Sequence, residues 1–260
     1  MKLPIQSLLA VLLISASSSA CAEDSISYPA MVWDDVTHTL TAPARWEKND
    51  WQQVGWESLA VLGTVAIIDK PVRDYMVKQD QNSQAWLQVE KFGREYAVGI
   101  TGAFFVAGLV GDETSMHVAQ DVVAASLISS GIIGVATKTV VGRSRPLQEK
   151  GTTNFAPFTD MNSSFFSGHT TQAFTLAAVI SETYDETWID VTAYSLATLV
   201  GVARTYHDKH FASDVLTGAI VGTLVGKSVV AHNKALRGNK LFVTPAVSQG
   251  MVGIQIAGKF

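Results

Sequence analysis

Three short polar islands interrupt a largely apolar stretch between Lys138 and Asp214. The first is Lys138-Thr-Val-Val-Gly-Arg143-Ser-Arg145-Pro146. The second is Phe166-Ser167-Gly168-His169. The third is Arg204-Thr-Tyr-His207-Asp208-Lys209-His210-Phe-Ala-Ser-Asp214. Lys138, Arg145 and Arg204 supply three cations, and Asp214 supplies one carboxylate. His169 and His210 exchange protons near neutral pH. Such a set suits an oxyanion, with cations to hold it and imidazoles to attack it or move a proton. Ser167 reads as the N-cap of a helix opened by Gly168 and His169. The outward N–H groups of a helix start, beside a glycine that permits close approach, form a cradle for phosphate. His210 and Asp214 stand four apart, so on a helix beginning near His210 they share a face. Asp214 can then accept from one ring nitrogen and leave the other as a nucleophile. Each island alone also fits an ordinary helix end, because Lys and Arg favour C-termini and Ser is a common N-cap.

The islands fall at the ends of apolar segments with helical patterning. Asp50 is placed to cap a helix over 51–68, which Asp69-Lys70-Pro71 should end. A polar stretch over 73–94 carries helical patterning around Trp86, Leu87 and Val89. Further apolar helices are expected over 97–110, 121–137, 169–184, 191–203 and 213–232. In the last, Gly218, Gly222 and Gly226 recur every four residues, a stripe that lets another backbone approach. The expected fold is all-α, a six-helix bundle with the active site at one end. Over 241–246 and 251–257, alternating patterns flank Ser248-Gln249-Gly250 and suggest a small β-hairpin. The expected organisation is a signal peptide over 1–22, an extended lead-in over 23–50, a helical domain over 51–235 and a tail over 236–260.

Composition narrows the partners. Of 260 residues, 47% are hydrophobic and only 16% charged, with a net charge of −4. No basic field exists to hold nucleic acid. The single cysteine, Cys21, rules out an intrachain disulfide and a thiolate metal site. Lys2, the apolar run over 8–14 and Ala20-Cys21-Ala22 have the layout of a secretory signal with a small-x-small cleavage site. Lipidation at Cys21 and an uncleaved anchor are the competing readings. The helices are apolar enough to invite a membrane, yet several are short for a span, and the acidic turns at 111–113 and 184–186 oppose cationic connections on the other face. A bundle spanning the inner membrane and a peripheral or soluble periplasmic one both remain open. Trp33, Trp46, Trp51 and Trp56 fit either an interfacial belt or core packing. His38, His117 and His232 have no partner at ligand spacing. Arg143 reads as a solvated cation or a second phosphate contact.

Taken together, Lys-x6-Arg-Pro, Ser-Gly-His and Arg-x5-His-x3-Asp, in that order and each at a helix junction, resemble the signature of the type 2 phosphatidic acid phosphatase superfamily. Two positions depart from its usual pattern: Phe166 stands where the family has Pro, and Ala203 where it has Ser. The resemblance implies a six-helix bundle that hydrolyses phosphate esters or anhydrides without a metal or other cofactor. By position it makes His210 the nucleophile that forms a phosphohistidine, Asp214 its orienting carboxylate and His169 the general acid. Lys138, Arg145, Ser167, Gly168 and Arg204 become the phosphate-binding residues. It implies a cell-envelope enzyme acting on a lipid phosphate or diphosphate of the undecaprenyl diphosphate or phosphatidate type, with membrane lipid as a partner. A soluble, broad-specificity periplasmic acid phosphatase shares the same motifs. A vanadate-dependent haloperoxidase has a similar anion pocket, although the modest chain length argues against it.

Overall fold

A computed structural model describes residues 25–159, 163–239, 241–248 and 251–257. The expected signal over 1–22, with Cys21, lies outside them. The described residues form a helical bundle with eight helices. These are α1 (Tyr28–Thr41), α2 (48–76), α3 (Gln84–Glu90), α4 (Glu95–Leu109), α5 (Glu113–Val141), α6 (Gly168–Tyr184), α7 (Thr187–Tyr206) and α8 (Ala212–Asn239). Six of them lie at the six apolar segments, and α1 and α3 are additional.

The lead-in expected to be extended is instead helix α1. Pro29 sits in its first turn, where a missing N–H is tolerated. Tyr28, Met31, Val32 and Val36 recur at helical spacing and are buried. The stripe also contains Asp35, whose carboxylate accepts from Asn233 Nδ2 at 3.1 Å, while the same amide donates to Asp121 at 2.9 Å. Tyr28 Oη donates to Gln120 O at 2.9 Å. These bonds fasten α1 to α5 and α8.

α2 also differs from expectation. Glu47 is its N-cap and Asp50 sits at the third helical position, accepting from Glu47 N at 2.8 Å. The helix does not end at Asp69-Lys70-Pro71. A π-turn over Thr64–Ile68 precedes Asp69–Met76, so Pro71 falls in the first turn of the renewed α-helix, where its missing N–H is tolerated. The continuation buries Asp69 inside the protein.

α5 starts at an Asp112 cap, contains a π-turn over Leu127–Ile133, and ends at Gly142 in the left-handed region at φ 58°. The main core packs Val118, Val122 and Ile128 of α5 against Leu176 and Val179 of α6 and Val225 and Val229 of α8. The glycine stripe of α8 lies directly on α6. A Cβ on Gly222 would sit 2.4 Å from Thr171 O, and one on Gly218 would sit 2.8 Å from Ser167 O. Only glycine allows this approach, which sets the start of α6 beside the start of α8. Past α8, β2 (Leu241–Ser248) pairs antiparallel with β3 (Met251–Ala257) and parallel with β1 (Ser25–Ile26).

Candidate active site

The site lies where the end of α5, the start of α6, the end of α7 and the start of α8 meet. Ser167 caps α6 and its side-chain oxygen accepts from Thr170 Oγ1 at 2.9 Å, while Ser167 N donates to Asp214 O at 3.1 Å. A helix start leaves its first N–H groups without intrahelical carbonyls, here those of Gly168 and its neighbours. A Cβ on Gly168 would meet nothing within 4 Å, so space lies open beside it. Lys138, near the end of α5, donates to Ser163 O at 2.9 Å and Phe166 O at 2.7 Å. An ammonium has three donors, so one N–H is left for an anion.

His210 precedes α8 and is buried. Its Nδ1 lies 2.9 Å from Ser164 O and 3.6 Å from Asp214 Oδ2. A carbonyl only accepts, so Nδ1 carries the proton and Nε2 carries the lone pair. Arg145 Nη1 lies 3.5 Å from that Nε2 and donates to Lys209 O at 3.1 Å. The spacing of four does bring Asp214 to His210, but the nearer partner of the ring is a backbone carbonyl. Asp214 accepts instead from Phe211 N at 2.9 Å and from Arg143 Nη1 at 2.6 Å.

Arg143 is neither solvated nor open to a ligand. It is 1% exposed. Its guanidinium bridges Asp214 to Asp69, 2.7 Å away, and donates to Ser213 Oγ at 2.7 Å and to Thr152 O. The Phe211 ring lies 4.2 Å below it. Asp69 accepts in addition from Ser213 N at 2.8 Å. Asp69, Arg143, Ser213 and Asp214 thus form a buried array beside His210.

Arg204, near the end of α7, is 5% exposed, and its Nε is buried without a partner. Its Nη1 pairs with Glu90 Oε1 at 2.6 Å. Arg204 and His169 share a cavity of about 460 Å³ with Glu90, Lys91, Arg94 and Lys209. Burial, with the charges of Arg204 and Lys138, pushes His210 down to about 3 against the opposing pull of Asp214. Burial and Arg204 push His169 down to about 3, with Glu90 pulling the other way. Both imidazoles are therefore neutral at pH 7 in the empty site. Among the described residues no three His, Cys, Asp or Glu side chains converge to hold a metal ion. His232, away from the site, pairs with Asp34 at 2.8 Å and stacks on His38.

The model of the PAP2 superfamily matches residues 116–236. That segment holds all eight residues predicted for the site. Two relatives from Porphyromonas gingivalis match shorter stretches. A lipid A 1-phosphatase is 42% identical over 66 residues, which cover 25% of this chain and 15% of that protein. A lipid A 4'-phosphatase is 37% identical over 65 residues, covering 25% of this chain and 28% of that protein. The chain therefore matches less than a third of either relative's length. A crystal structure of a transmembrane PAP2-type phosphatidylglycerolphosphate phosphatase from Bacillus subtilis superposes with a TM-score of 0.40 and 18% identity, over 79% of this chain and 97% of that one.

The two departures from the PAP2 pattern are both absorbed by packing. Phe166 is 1% exposed, and the edge of its ring would lie 3.7 Å from a Cβ at Gly134. Its carbonyl still receives Lys138. Ala203 is fully buried. Asp69 and Glu90, which touch the site through Arg143 and Arg204, lie outside the matched segment.

Proposed function

We propose that this chain is a cell-envelope phosphatase that removes phosphate from a lipid through a phosphohistidine on His210. The observation that carries this reading is a buried donor without an acceptor, Arg204 Nε, on a residue whose carbonyl accepts from His210 N at 3.3 Å, together with the lone pair on His210 Nε2. An orphaned buried donor is costly unless a ligand completes it. A phosphoryl oxygen does so, and the neighbouring Arg145, Lys138, Ser167 hydroxyl and Gly168 N–H serve the remaining oxygens.

In the reaction, His210 Nε2 attacks phosphorus as the bond to the leaving oxygen breaks. The substrate phosphate enters as its monoanion, and His169 takes its proton and passes it to that oxygen. Water then attacks the phosphohistidine, His169 takes the water's proton, and the N–P bond breaks to release phosphate. Charge in flight spreads over the equatorial oxygens, which the three cations stabilise. Proton transfer by a positioned histidine is worth roughly 10²–10⁴-fold. Asp214, 3.6 Å from Nδ1, favours the cationic ring as the phosphohistidine forms.

Three features support a lipid substrate. An apolar cavity of about 310 Å³ opens between α4, α6 and α7, lined by Phe92, Ile100, Leu176, Ile180 and Trp188. One face of α6 links it to the site, running from His169 through Ala173 and Leu176 to Ile180. Trp33, Trp51, Trp56 and Trp188 are exposed, as suits side chains at a lipid interface. By length and composition, α5 and α8 could also cross a bilayer. The relatives make a phosphorylated glycolipid the first substrate to test, ahead of phosphatidate and undecaprenyl diphosphate.

The test is phosphate release from lipid A, phosphatidate, undecaprenyl diphosphate and a water-soluble monoester, each with and without detergent. Detergent-dependent turnover of a lipid supports the proposal. Efficient turnover of the soluble monoester alone would replace it with a soluble acid phosphatase. Halide oxidation with vanadate and peroxide, without hydrolysis, would replace it with a haloperoxidase.

A further inference from the structure

Glu90 closes α3 at the edge of the cavity that holds His169. Its Oε1 accepts from Arg204 Nη1 at 2.6 Å and from Lys209 Nζ at 2.7 Å, and its Oε2 pairs with His207 Nδ1 at 2.8 Å. The turn after it is held against the site by Gly93, where a Cβ would lie 2.7 Å from His169 O. Glu90 is therefore a resident anion on a phosphate-binding cation. It occupies one edge of the Arg204 guanidinium and leaves Nε unpartnered.

The charges around the pocket explain what such an anion does. Lys138, Arg143, Arg145, Arg204 and Lys209 oppose Asp69 and Asp214, an excess of three positive charges. Glu90 reduces the excess to two, the charge of a phosphomonoester dianion. Arg94 and Glu95, of opposite sign, are exposed at the rim and Lys91 partly so, where water screens them. The position matters as much as the count. Glu90 shares its cavity with His169, so it stands on the side from which the leaving group departs.

We propose that Glu90 is a specificity-determining residue that fits the pocket to a single phosphate dianion, disfavours a leaving group carrying its own phosphate, and hastens release of product phosphate. This rests on the phosphatase reading above. It makes monophosphates with a neutral hydroxyl leaving group the substrate class and places diphosphates second.

The test is Glu90→Gln, which keeps the shape and removes the charge. Binding of inorganic phosphate, measured by calorimetry, should tighten by about tenfold or more. The ratio of kcat/KM for a lipid diphosphate to that for the monophosphate should rise by a similar factor, and Glu90→Asp should restore both. A purely structural role for Glu90 predicts weaker phosphate binding, not tighter. Unchanged or weakened binding in a variant that melts like the wild type would overturn the proposal. If Glu90→Gln does not fold, Glu90→Met tests the same sign. The two readings fail separately: a wild type that binds phosphate but hydrolyses no ester sinks the phosphatase, whereas active enzyme with unmoved phosphate affinity in the variant sinks only the role of Glu90.

Discussion

Replacing Arg143 with Met should be among the most damaging single substitutions in the chain. The side chain is 1% exposed and joins two carboxylates that are themselves buried, at 2.7 Å to Asp69 and 2.6 Å to Asp214. Methionine fills much of the volume but strands both charges. Removing one partner of a buried ion pair costs about 3–5 kcal/mol, a large share of a stability of roughly 5–15 kcal/mol. At about 2–4 °C per kcal/mol for a protein of this size, the melting temperature should fall by about 6–20 °C. Arg143→Lys should recover only part of the loss, because a single ammonium cannot fork across two carboxylates. Asp69→Asn combined with Arg143→Met should be less damaging than additivity predicts, since one stranded charge is gone. The assay is thermal unfolding in detergent, with single and double variants side by side. A drop of less than 2 °C in Arg143→Met, or strict additivity in the double variant, would refute the buried array.

Three further outcomes follow from the geometry. Gly222→Ala places a methyl 2.4 Å from Thr171 O, so it should destabilise by about 1–3 kcal/mol and lower kcat by spreading α6 from α8, as unfolding and turnover will reveal. Asp35 is pushed up to about 7 by burial, against the bond from Asn233. The folded state thus favours its neutral form, and the stability it contributes, present below about pH 4, is lost as pH rises through 7. Asp35→Asn should therefore gain up to about 4 kcal/mol at pH 8 and nothing at pH 4, measured by unfolding at both values. His169 is pushed down to about 3 in the empty site, so its catalytic proton arrives with the substrate monoanion, whose phosphoryl group becomes the dianion that the pocket fits once His169 takes that proton. The alkaline limb of kcat/KM should then follow the second phosphate ionisation, about pH 6, and move with that ionisation across substrates. A limb fixed in pH for all substrates would contradict this.

The parts of the site legible in the sequence were those carried by side-chain type at helix junctions. The three islands, the cap at Ser167 and the glycine stripe of α8 each have a local signature, and packing brings them together. What was not legible depends on distant chain. Ser164 holds His210 through its carbonyl, a group every residue possesses, so no residue type marks it. Asp69 and Glu90 lie far upstream, and only the continuation of α2 and the placement of α3 deliver them to Arg143 and Arg204. Arg143 reads in the sequence as a solvated cation or a phosphate contact because no nearby residue type marks a buried arginine; its burial comes from Asp69, Thr152 and Phe211. Helix α1 did carry a stripe over Tyr28, Met31, Val32 and Val36, but Asp35 and Pro29 interrupted its apolar pattern. The capping of α2 shifted from Asp50 to Glu47 because an acidic residue fits either role in a capping box.

The most direct test of the central claim is the phosphorylated intermediate itself. Enzyme mixed with a substrate bearing radiolabelled phosphate and quenched in alkali within milliseconds should carry base-stable, acid-labile label on His210. The label should be absent from His210→Ala, which should still bind vanadate. With a leaving group good enough to need no proton, His169→Gln should accumulate more label than the wild type. Wild-type turnover without any label on His210, or substantial turnover by His210→Ala, would contradict the account.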